Sequence, residues 1–167
     1  VVDMSSMFYG AKLFNSDISN WNVSNVTNME SMFYGAKLFN SDISNWNVSN
    51  VTNMSSMFFF ASSFVGDLSL WDVSNVTNME NMFHYNIYFN SNLSNWNVSN
   101  VINMEHMFQN TKSFNSNLSN WDVSNVKTNR KIFSGSIIKD EYKPKFNNLE
   151  KLDLSDYHKF LKRIIKK

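Results

Sequence analysis

The sequence predicts an α/β solenoid: a stack of 25-residue coils, each with one short helix and one or two short strands. Three observations carry this reading. Tryptophan recurs at Trp21, Trp46, Trp71, Trp96 and Trp121, a spacing of 25 residues that never slips. The run Val23-Ser24-Asn25-Val26-Thr27-Asn28-Met29 returns nearly unchanged with each tryptophan. Within one unit the apolar rhythm switches from helical to alternating. A fixed period with apolar positions in phase means that each unit buries its apolar face only against its neighbours.

The helix of each unit is read from Met29, Met32, Phe33 and Ala36, which form one stripe of about two turns. Asn28 stands where an N-cap would stand. The stripe recurs as Met4, Met7, Phe8 and Ala11, and as Met54, Met57, Phe58 and Ala61; Asn86 and Thr111 replace the alanine later. Alternation about Ile43, then at Trp46 and Val48, is the period-two pattern of short strands separated by a turn. Ser49 and Asn50 supply side chains that bond local backbone at the corner. Stacking in register would place equivalent backbones roughly 4.8 Å apart. Ser24 to Ser124 and Asn25 to Asn125 would then run as ladders, the asparagines joined by amide-to-amide bonds.

Five copies fill residues 1–125, and residues 126–167 read as a degenerate last coil with a basic C-terminal capping helix. Charge divides the same way. Residues 1–125 hold three Lys and nine acidic groups, net −6, whereas residues 126–167 hold 12 basic and five acidic groups, net +7. Pro144 marks a loop, and Ser155 caps a helix with Tyr157, Phe160, Leu161, Ile164 and Ile165 on one face and Lys159, Lys162, Arg163, Lys166 and Lys167 on the other. Docking over the end of the stack is the expected role; contact with an anionic membrane surface is the alternative. Val1, Met4, Met7 and Phe8 form an uncapped first coil, through which the protein could self-associate. The start at Val1, in phase with Val26, reads as a processed product or a fragment of a longer array.

Few residues offer chemistry. The chain has no cysteine, and its four glycines form no phosphate-cradling loop. No apolar run reaches the length of a membrane span, and no signal peptide opens the chain. His84 and His106 fall at different phases of neighbouring units, without the carboxylates a metal site would need. Asp17, Asp42 and Asp67 form a column that could be a calcium ladder, but Asn92 and Asn117 end it, and turn capping is the plainer reading. No cofactor, enzyme activity or nucleic-acid partner is expected.

The string Met-x-x-Met-Phe followed by Phe-Asn-x-Asp-Ile-Ser-x-Trp-x-Val-Ser-Asn-Val-Thr-Asn-Met resembles the 25-residue unit of the BspA-type leucine-rich-repeat surface proteins, which include palindromic amphipathic repeat proteins common in mycoplasmas. The resemblance covers residues 1–125 and implies a leucine-rich-repeat-like, right-handed coil stack at the cell surface or secreted. The role it implies is adhesion, with a protein or glycan ligand on a host or neighbouring cell; the alternative is a structural protein assembled through its first coil. Residues 8–29 and 33–54 are identical, so variation in the later copies is the better guide. There the variable positions become aromatic, and Phe59, Phe60, His84, Tyr85, Ile87 and Tyr88 are the expected binding patch.

Overall fold

The computed structural model describes residues 1–147. The expected helix beginning at Ser155 lies outside the described residues. Among those described there is no α-helix and no sheet, only one short 3-10 helix at Asp140–Tyr142. The expected α/β coil with a helix and strands in every repeat is therefore wrong. What the repeat builds is a stack of irregular turns. Single parallel bridges join Asp3 to Asn28, Asn28 to Asn53, Asn53 to Asn78, Asn78 to Asn103 and Asn103 to Thr128.

The reason lies in where the backbone amides point. Met29, Ser31, Phe33 and Gly35 donate to the carbonyls of Asn53, Ser55, Met57 and Phe59 in the next coil, at 2.7–2.9 Å. The intervening amides of Met32, Tyr34 and Ala36 close tight turns onto Met29, Ser31 and Phe33, at 3.0–3.2 Å. An α-helix would need every one of these amides for its own carbonyls four residues back. The alternation instead requires left-handed residues at fixed intervals, and Ser31 (φ 54°) and Gly35 (φ 67°) supply them. Spacings of three, four and seven arise from these turns as readily as from a helical stripe. Asn28 caps a turn, its Oδ1 accepting from the Glu30 amide at 3.1 Å.

Each coil has three such corners, in which a side-chain oxygen accepts from the amide two residues on: Asp42 to Ser44, Asn47 to Ser49 and Asn53 to Ser55, at 3.0–3.1 Å. Asp17 and Asp67 serve their own coils in the same way, which is the plainer of the two readings of that column. The asparagine ladder differs from expectation. Asn50, Asn75, Asn100 and Asn125 donate through Nδ2 to the backbone carbonyls of Ser24, Ser49, Ser74 and Ser99, not to one another's amides.

The core is a double file of phenylalanine rings. Phe8, Phe33, Phe58, Phe83, Phe108 and Phe133 follow one another with centroids 5.5–5.7 Å apart. Phe14, Phe39, Phe64, Phe89 and Phe114 stack beside them, 3.8–4.3 Å from their partners within each coil. Burying each of these side chains contributes roughly 1.5–3 kcal/mol. The indoles flank the file, and Nε1 of Trp46, Trp71, Trp96 and Trp121 donates to the carbonyl of Ile18, Ile43, Leu68 and Leu93 at 2.9–3.1 Å. Trp21, in the first coil, is 38% exposed.

The repeat pattern fades in the sequence after Lys127, yet the amide ladder continues. Met104, His106, Phe108 and Asn110 donate to Thr128, Arg130, Ile132 and Ser134. Beyond these, the amide of Leu118 donates to the carbonyl of Tyr142.

Candidate functional site

One edge of the stack carries a ridge of aromatic rings. Tyr9 lies on Tyr34 at 4.5 Å, and Tyr34 on Phe59 at 4.6 Å, with planes within 11° and 2° of parallel. His84 then meets Phe59 edge-on at 4.7 Å. A second short file begins at that point, with Phe60 parallel to Tyr85 at 4.5 Å and Tyr85 parallel to His84 at 4.6 Å. These spacings suit offset stacking. Phe59, Phe60, His84 and Tyr85 are thus brought together; Tyr88 joins no ring stack among the described residues and is 64% exposed, while Ile87 is about as exposed as Phe60 and Tyr85.

The local backbone explains why rings appear there. Gly10, Gly35 and Gly135 fill a position that needs a left-handed backbone, with φ of 69°, 67° and 74°. Coils three and four place Phe60 (φ 55°) and Tyr85 (φ 58°) at that position. For a bulky residue this conformation is an outlier and costs about 1–2 kcal/mol. The sequence reading missed Tyr9 and Tyr34, which extend the ridge. Their position in the period, the same as that of Phe59 and His84, was the available signal.

His84 is the most perturbed titratable group on the ridge. Its Nδ1 sits 2.9 Å from Oδ1 of Asn81, while its Nε2 is buried with no partner among the described residues. Burial, then the nearby His106, pushes its pKa down to about 4. The two imidazoles are nearly parallel with centroids 5.8 Å apart. His106 Nδ1 is bonded to Oε1 of Gln109 at 2.6 Å, and Arg130 lies 3.4 Å from its Nε2 and 3.9 Å from Glu105. Burial also raises the Tyr34 phenol, with Tyr9 adding to it. Among the described residues no three His, Cys, Asp or Glu side chains converge on a point that could hold a metal.

The comparisons with known proteins turn on the repeat. A family model described as "Mycoplasma protein of unknown function, DUF285" matches residues 1–83 and 61–159. The chain belongs to this family. DUF285 membership covers all five tryptophan units and does not by itself establish a leucine-rich-repeat relationship. No curated protein and no solved structure matches the chain.

Proposed function

We propose that this DUF285 protein is a non-enzymatic recognition module, displayed at the cell surface, whose aromatic ridge binds a protein ligand on a host or neighbouring cell. The supporting observation is that Phe60 and Tyr85 occupy a left-handed position filled elsewhere by Gly10, Gly35, Asn110 and Gly135, residues that adopt it readily. Two adjacent aromatic side chains held in a costly backbone conformation indicate a use beyond folding. The ring faces are spent on one another, so the ridge offers ring edges and the hydroxyls of Tyr9 and Tyr34 to a partner. Rigid aromatic groups of this kind lose little entropy on binding.

The test uses residues the chain already tolerates. Phe60→Gly and Tyr85→Gly restore the residue of the first two coils, and Tyr88→Ala removes the most exposed ring of the patch. The triple variant should fold, with melting unchanged within a few degrees, because relieved strain offsets the lost stacking of about 0.5–1.5 kcal/mol. Binding to a panel of host proteins and intact cells should be lost. Retention of full binding by the folded variant would remove the ridge from consideration.

A further inference from the structure

A second surface feature is separate from the ridge in both chemistry and residues. Coils four and five, with Tyr142, line a groove of 590 Å³. That volume lies within the range of small-ligand sites, roughly 300–1,000 Å³. Its lining is unlike the mostly apolar lining such sites usually have. Asparagine and serine provide all of it except the Tyr142 ring, and no lining residue is charged.

The hydrogen bonds within the groove give it a direction. Oδ1 of Asn90 accepts from the Asn115 amide, Oδ1 of Asn92 from the Ser94 amide, Oδ1 of Asn115 from the Lys139 amide, and Oδ1 of Asn117 from the Ser119 amide, at 3.0–3.1 Å. Each of these four side-chain oxygens is committed to holding the fold, whereas the side chains of Asn95 and Asn120 bond no described residue. The four Nδ2 groups donate to no described residue, so the groove presents an array of fixed, uncharged donors. Tyr142 forms one wall, tied in place by its carbonyl, which accepts from the Leu118 amide at 2.8 Å.

Asn90 and Asn115 have counterparts in Asn15 and Asn40, but at the other position the period shows that this chemistry is local. At the position of Asn92 and Asn117, the first three coils carry Asp17, Asp42 and Asp67, which cap the same turn with a carboxylate. Both residue types serve the fold. Only the amide leaves a donor facing outward, and it does so only in the two coils that line the groove.

We infer that this groove binds a neutral saccharide, whose hydroxyl and acetamido oxygens accept from the asparagine Nδ2 groups while a sugar C–H or acetyl methyl lies against Tyr142 where it lines the groove. A charged ligand finds no counter-ion among the lining residues, and the Lys139 ammonium, 5.1 Å over one face of the Tyr142 ring, lies 4.0 Å from the Glu141 carboxylate; an apolar ligand finds too little apolar surface. The inference does not depend on the aromatic ridge.

The decisive variant is Asn92→Asp with Asn117→Asp, which installs the residue of the first three coils and keeps the turn-capping oxygen. Asn22→Asp with Asn47→Asp is the control, since Asp72 and Asp122 occupy that position naturally and lie outside the groove. The wild-type chain, isotopically labelled, is titrated with chitotriose and maltotriose while the asparagine side-chain amide signals are followed by NMR. Groove amide signals should move in the wild type and in the control, and affinity should fall about tenfold or more in the groove variant, the loss expected for two hydrogen bonds. Absence of shifts with both sugars into the millimolar range would overturn the inference. Equal affinity in the groove variant, or shifts confined to Asn81 and Asn110 beside the ridge, would do so as well.

Discussion

Asn86 takes the position of Ala36 and Ala61, fully buried, and neither polar atom of its side chain has a partner among the described residues. One coil later Thr111 solves the same problem, its hydroxyl bonding the Phe108 carbonyl. Asn86→Thr should therefore stabilise the fold by about 1–2 kcal/mol, seen as a higher melting temperature, because leaving buried polar groups unsatisfied costs about 1–3 kcal/mol. His84 has a different signature. Its neutral form is favoured in the fold, so the unfolded chain takes up the proton first as pH drops. Stability is complete above about pH 6.5 and declines toward about pH 4, where the folded ring also protonates. Solvent at the half-exposed ring limits the loss to about 1 kcal/mol. Melting of His84→Tyr between pH 7 and pH 4 should be flatter than that of the wild type; an unchanged slope would place the titration elsewhere. Neither effect was legible in the sequence, where Asn86 was one more substitution of an alanine and His84 one member of the expected binding patch.

The corner is the element that the composition makes easiest to read. Asn, Asp and Ser at fixed places announced turns that bond their own backbone, and such turns are found at Asp42, Asn47 and Asn53, whereas Asn50, expected to bond its own corner, donates to the Ser24 carbonyl of the preceding coil. The helix that the sequence predicted is not there, because apolar spacing records which residues face inward and says nothing of where the amides go. Left-handed residues at Ser31, Asn81, His106 and Lys131 carry the missing information, and only Gly10, Gly35 and Gly135, at the second left-handed position four residues on, hinted at it. Corner aspartates make the pH dependence continue at lower pH. Asp17, Asp42 and Asp67 are each held below the ordinary carboxylate range by hydrogen bonds from the serine two residues on. Their contribution is complete above about pH 4, the unfolded value, and is lost as pH falls through the lower folded one. The variant with asparagine at all three positions, as in Asn92 and Asn117, should lose less stability between pH 4 and pH 2 in denaturant titrations. Gly66 marks a tighter constraint: a Cβ there would lie 2.7 Å from Cζ of Phe64, a fully buried ring. Gly66→Ala should cost about 1–3 kcal/mol in chemical denaturation.

At the scale of the whole molecule, periodicity foretold which side chains share a column, and the phenylalanine files and the buried methionines follow it. It also located Phe59, Phe60, His84 and Tyr85 as neighbours. The groove of coils four and five escaped notice because its surplus donors appear only after the oxygens of Asn90, Asn92, Asn115 and Asn117 have been assigned their bonds. Every junction between coils repeats one bridge and one set of forward-pointing amides, from Asp3 and Asn28 up to Asn103 and Thr128. Excision of residues 33–57 would therefore join surfaces that already match, and the shortened chain should still unfold in one cooperative step, with a lower midpoint. Copy number thus becomes a quantity that can rise or fall by duplication or loss of a unit without any new seam. The distance at which the last two units stand from the first can be adjusted while their own chemistry stays as it is.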